Sequence, residues 1–182
     1  MEIRMVRVAS FLLFALALGT PALAGEIHDA CRLGDLARVE RLLEKDRSLL
    51  SSRTAEGKTP LHMATGWGRS EIVKYLIGIG ADIHAKNNDG GTPLHVAASQ
   101  NKPECARILI EKGARIDARR DVGGATPLLI AAVKGSTQTA KVLLDGGADP
   151  NARMTNGATA LGIARMRGHR KLAELLANHG AR

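Results

Sequence analysis

Thr59-Pro60-Leu61-His62 returns as Thr92-Pro93-Leu94-His95, then as Thr126-Pro127-Leu128-Leu129 and Thr159-Ala160-Leu161-Gly162. The four threonines are spaced by 33, 34 and 33 residues. A second phrase keeps the same step: Gly80-Ala81-Asp82, Gly113-Ala114-Arg115, Gly147-Ala148-Asp149 and Gly180-Ala181-Arg182. Two independent phrases on one clock define a structural repeat. Each unit reads as turn, helix, turn, helix, finger. Thr59 caps a helix through its hydroxyl, and Pro60 takes the first helical position, where a missing N–H costs nothing. Leu61, Met63 and Ala64 supply packing groups, and Gly66 and Gly68 end the short helix. The spacing of Ile72, Val73, Leu76 and Ile77 predicts a second helix from about Ser70 to Ile77. Gly80 stops it in a conformation suited to positive φ. The polar run Asp82–Asp89 then leads into the turn signal Asp89-Gly90. Pro103 opens the second helix of the next unit in the same way, and Ala97, Ala98, Ala131, Ala132 and Ala164 let helices approach closely.

Composition narrows the function. The chain has 182 residues, a formal charge of +8, 45 % hydrophobic residues and 2 % aromatics. That suffices for a packed core and excludes global disorder. The aromatics are Phe11, Phe14, Trp67 and Tyr75, too few for a base-stacking sheet or groove. Two cysteines exclude a disulfide-dense scaffold and a four-cysteine zinc site. The glycines follow the repeat clock and form no phosphate loop, and neither a zinc-protease nor a nucleophile-elbow motif occurs. The carboxylates Asp82, Asp89, Asp121 and Asp149 fall at turn positions. No catalytic residues, metal ligands or cofactors are expected.

The first 24 residues read as an address. Arg4 and Arg7 precede the uncharged run Val8–Leu18, Gly19-Thr20-Pro21 breaks it, and Ala22-Leu23-Ala24 places small residues at −3 and −1. This is the order of a secretory signal peptide, with an apolar run too short to span a bilayer. A mature chain of residues 25–182 without a transmembrane anchor is expected.

The step of T-P-L-H-x-A followed by G-A-D-x-N-A resembles the ankyrin repeat, and Ala85, Ala118 and Ala152 match the final alanine of the second phrase. The resemblance implies an all-α solenoid of about five helix-turn-helix units with short β-hairpin-like fingers. The units are 25–55, 56–88, 89–122, 123–155 and 156–182. The first is a degenerate capping unit, in which Ile27-His28-x-Ala30 aligns with Leu61-His62-x-Ala64 and a second helix covers Leu36–Leu43. The last ends without a finger and turns Arg170, Lys171, Glu174 and Asn178 to solvent, as a terminal repeat needs. The finger Ala118–Thr126 is one residue longer than its neighbours and carries Gly123-Gly124, which predicts a bulged tip.

The resemblance also assigns His62 and His95 to hydrogen bonds that tie the turn to the helix start. Packed helices put the two about 10 Å apart, too far to share a zinc ion. His84 stands where Asp117 and Asn151 stand in later units, which suggests a turn-bonding role, and His169 and His179 read as surface residues. Cys31 aligns with Thr65 and Cys105 with the core position Ile72, two units apart, so no bridge within one molecule is expected.

As an ankyrin-repeat protein, the chain is expected to bind another protein through its concave face and finger tips, without catalysis and as a monomer. Trp67 and its counterparts Gln100, Lys134 and Arg167 mark the turn between the two helices of each unit. Lys86, Asn88, Arg119, Arg120, Arg153 and Met154 mark the fingers. The basic members, with Arg165, suggest an acidic protein surface, and export makes nucleic acid an unexpected partner. With its leader, the chain resembles bacterial exported ankyrin-repeat proteins of the periplasm. Two further roles fit that resemblance: a secreted effector that binds a host protein, or a protective partner of an envelope enzyme in oxidative-stress defence.

Overall fold

The computed structural model describes residues 21–182. The expected leader lies outside the described residues except for its last four, which form the first turn of a helix. Among the described residues, ten α-helices and one 3-10 turn follow in chain order: α1 Pro21–Leu33, α2 Leu36–Lys45, the 3-10 turn Arg47–Ser51, α3 Pro60–Gly66, α4 Ser70–Gly78, α5 Pro93–Ser99, α6 Pro103–Glu111, α7 Pro127–Lys134, α8 Thr137–Asp145, α9 Ala160–Met166 and α10 Arg170–Asn178. The second helix of the first unit runs two residues past its expected end.

The helices form two layers. In the inner layer α1 packs on α3, α3 on α5, α5 on α7 and α7 on α9. In the outer layer α2 packs on α4, α4 on α6, α6 on α8 and α8 on α10. Each inner helix also packs on the outer helix that follows it. Inner helices of seven to eight residues are marginal alone, so their stability comes from these neighbours. One continuous core runs the length of the stack, built from Leu61, Leu94, Leu128 and Leu161 at equivalent positions with Ala64, Ala97, Ala131 and Ala164 between them. The alanines are fully buried, which permits the close helix approach the sequence predicts.

The fingers are turns rather than ladders. Thr54 N–H donates to Lys58 O, Asn87 to Gly91, Arg120 to Ala125 and Met154 to Ala158, each at 2.9–3.0 Å. The single antiparallel bridge among the described residues joins Arg153 to Thr159. The third finger closes over one extra residue, as its length predicts, with Gly123 and Gly124 both at positive φ and Val122 68 % exposed at the tip. Successive fingers stack by main-chain bonds from Asn88 N to Glu56 O and from Thr155 N to Gly123 O. Glycine is required where they meet. At Gly90, φ is +76°, and a Cβ would stand 2.4 Å from the backbone nitrogen of Asp121.

Candidate functional site

The site grows from the start of each inner helix. The Thr59 backbone N–H points at Nδ1 of His62 (3.2 Å), and the Thr59 hydroxyl lies 2.9 Å from the same nitrogen. Nδ1 must therefore accept, so Nε2 carries the proton and donates to Gly91 O at 3.0 Å, in the next finger. Thr92 and His95 repeat the arrangement, with Nε2 of His95 donating to Ala125 O at 3.0 Å. Each ring is a bracket between consecutive units, the role the resemblance implied. Burial, reinforced by Arg53 and Lys58 for His62 and by Arg120 for His95, pushes both rings down to a pKa of about 4. Nε2 of His28 faces Lys58 O in the equivalent way, but its Nδ1 faces Ala24 O, an acceptor, where His62 and His95 meet threonine donors. His84 is different: its side chain is exposed and makes no hydrogen bond, and the turn is closed by its backbone N–H on Asp82. A neighbouring Asp and the φ/ψ of the turn suffice there, so the ring is dispensable.

The finger residues divide between two jobs. Arg119 donates from one guanidinium nitrogen to Gly124 O of its own finger (2.9 Å) and to Arg153 O of the next (2.8 Å). Arg53, at the same repeat position, clamps Gly57 O and Lys86 O. Arg153 holds only its own Gly157 O, at 3.0 Å. Lys86, at the same repeat position, instead pairs with Asp121 of the next finger at 2.6 Å. Arg120 pairs with Asp89 of the preceding finger at 2.7 Å, and Asn88 donates to Ala55 O. Met154 lies half-buried under Gly123. Lys86, Arg119 and Arg120 thus act between fingers, and Arg153 within one.

Trp67 and Gln100 belong together. Both border a groove on the inner-helix face with Met63, Gly66, Val96, Arg32, Lys58 and Lys102. Trp67 is 52 % exposed, and the Arg32 guanidinium of the preceding unit lies 5.9 Å from its ring centroid. The groove continues past Gln100 to Ile130, Val133 and Lys134. Arg167 is exposed one unit further on, beside Met166, which is 78 % exposed. The sequence reading missed the row Met63, Val96, Ile130, which stands four residues after each capping threonine and is half-buried. Its signal was present in the repeat register. Lys58 and Lys102 were missed because they reach this face only through stacking.

Cys31 and Cys105 are buried and unpaired, as expected from their separation. Burial pushes the thiols up to about 12 and about 11. Among the described residues no group of His, Cys, Asp or Glu could hold a metal ion, and no helix is long and apolar enough to cross a membrane.

A family profile described as ankyrin repeats (3 copies) matches residues 27–120, 79–154 and 117–182. The chain is 42 % identical over 62 residues to a palmitoyltransferase of Naumovozyma castellii, which covers 34 % of this chain and 8 % of that protein. It is 36 % identical over 67 residues to a putative ankyrin repeat protein of fowlpox virus, 37 % of this chain and 16 % of that one. It is 42 % identical over 57 residues to the 2-5A-dependent ribonuclease of Mus musculus, 31 % of this chain and 8 % of that enzyme. The chain thus spans less than a fifth of the length of each of these relatives. Ankyrin repeats imply a protein–protein interaction module. Repeat period, bracketed helix starts, stacked fingers and matched profile agree: the chain belongs to the ankyrin-repeat family.

Proposed function

We propose that the chain binds another protein, without catalysis, through the groove on its inner-helix face, and that it does so in the periplasm or outside the cell. The observation that carries binding is the half-buried row Met63, Val96, Ile130, which lies open along the groove beside the exposed ring of Trp67. Apolar side chains that the stack could have covered are left in reach of a ligand. The n-region, apolar run and Ala22-Leu23-Ala24 of the sequence support export.

A photo-crosslinking residue at Gln100, in the groove, and another at Lys74, exposed on α4, test the binding face in the organism's own cells. A discrete protein adduct from position 100 and none from position 74 is the expected result. The reverse pattern overturns the groove assignment. Intact mass of the chain from fractionated cells tests export: an envelope or culture-fluid species beginning at Gly25 is expected, and a cytoplasmic species retaining Met1–Ala24 rejects it.

A further inference from the structure

We propose that the Trp67 end of the groove takes an extended acidic segment of the partner, with one apolar side chain of that segment seated against the Trp67 ring. The inference rests on the groove being the binding face and adds the chemistry of the occupant.

Three cations from three different units border this end: Arg32 from the first, Lys58 from the second and Lys102 from the third. No carboxylate borders it. Arg32 has a partner, Asp29, on its own helix. Lys58 and Lys102 make no ion pair among the described residues. Between the cations lies an apolar floor of Met63, Val96 and the ring. The floor is open because residue 66 is glycine: a Cβ there would stand 3.1 Å from Cγ1 of Val96. The aliphatic stem of Lys102 passes over Gly68, 3.1 Å from where a Cβ would stand. A lysine stem can cover apolar surface while its ammonium stays at the rim.

The charge persists along the groove. Lys58 also borders the next stretch, which runs to Lys134. The carboxylate in that stretch, Asp89, is held by Arg120. An occupant therefore meets the unpaired ammoniums of Lys58 and Lys102 beside apolar groups, which fits a segment that carries both acidic and apolar side chains. Three inner helices at about 10 Å spacing span about 20 Å, or roughly six residues of extended chain. Nucleic acid is the poorer fit, because a single ring offers no succession of stacking platforms.

Selection of a random twelve-residue peptide library on the purified full chain tests the proposal. Recovered peptides are expected to be enriched in Asp and Glu around one large apolar residue. A synthesised representative should shift the emission of Trp67, the chain's sole tryptophan, and bind more weakly as salt rises. Trp67→Ala, and separately Lys58→Glu with Lys102→Glu, should each weaken that peptide at least about tenfold while the thermal midpoint holds. Lys58→Ala with Lys102→Ala gives a milder variant should charge reversal disturb the fold. Recovery without acidic bias, no recovery, undiminished binding by the variants, or tighter binding of an oligothymidylate than of the peptide overturns the proposal. A groove crosslink at position 100 that survives such a result leaves the binding face intact and rejects only the acidic occupant. Loss of both rejects both.

Discussion

Acid should loosen the stack through two residues, His62 and His95. Each ring is buried and neutral in the folded chain, with its pKa held down to about 4 from an ordinary 6.5. The unfolded chain therefore binds more protons between roughly pH 6.5 and pH 4. The histidine contribution is fully present above that window and is lost as pH falls through it. By linkage each ring destabilises the fold by about 2 kcal/mol at pH 5 and about 3 kcal/mol at pH 4. Two rings remove about 4 kcal/mol at pH 5, a large part of the 5–15 kcal/mol typical of a domain. The chain itself supplies the control. Leu129 occupies the same repeat position in the next unit and is fully buried. The double variant His62→Leu, His95→Leu loses three side-chain contacts at each ring; Gly91 O and Ala125 O keep the backbone donors Asn87 and Arg120, while the Thr59 and Thr92 N–H groups lose their acceptor. The cost at pH 7 should be about 1 kcal/mol per site. Urea unfolding at pH 7, 6, 5 and 4.5 checks this. The double variant should lose about 4 kcal/mol less than the parent between pH 7 and pH 5. Equal losses within about 1 kcal/mol would falsify the bracket as the source of acid sensitivity.

Three further outcomes are expected. Arg119→Ala opens a clamp spanning two fingers and should cost about 1 kcal/mol by urea unfolding, whereas Arg153→Ala breaks a bond within one finger and should cost less; equal costs would remove the inter-finger role. Thr65 is fully buried and its hydroxyl has no hydrogen-bond partner, so Thr65→Val should raise stability by about 1 kcal/mol, and a lowered thermal midpoint would show that the hydroxyl is bonded after all. Cys31 and Cys105 should resist iodoacetamide at pH 8 in the folded chain and react fully in urea, since burial raises both thiols; rapid native labelling, or a peptide linking the two, counts against the fold as described.

The parts of this molecule that sequence exposes are those whose chemistry is local. Thr59, Pro60 and His62 lie within four positions of each other, and their capping and bracketing follow from residue type and spacing alone. The extra residue of the third finger was equally plain, because a repeat makes an insertion countable. The arginine clamps were not legible in this way. Arg119 reads as charge, because the Arg153 carbonyl that completes its clamp belongs to the next finger and carries no residue signature. The groove was half legible. Trp67 stands out by its rarity, but Met63, Val96 and Ile130 differ in type, and only the register equates them. Lys58 and Lys102 share a rim because stacking brings three units together, a distance relation that no single unit encodes.

The clamp of Arg53 on Lys86 O, like that of Arg119 on Arg153 O, always reaches from an earlier unit to a later one. The histidine brackets point the same way, from His62 to Gly91 and from His95 to Ala125. Clamps and brackets thus share a direction, while Asn88 and Arg120 reach back to the preceding finger. During synthesis each unit leaves the ribosome with its forward bonds open, and the arrival of the next unit closes them. A chain cut after a unit with a clamp or bracket therefore ends in outgoing donors that are unsatisfied. Of the units, 89–122 carries both a bracket, His95, and a clamp, Arg119, so it is the step whose outgoing donors are complete and the one to duplicate when the stack is to be lengthened.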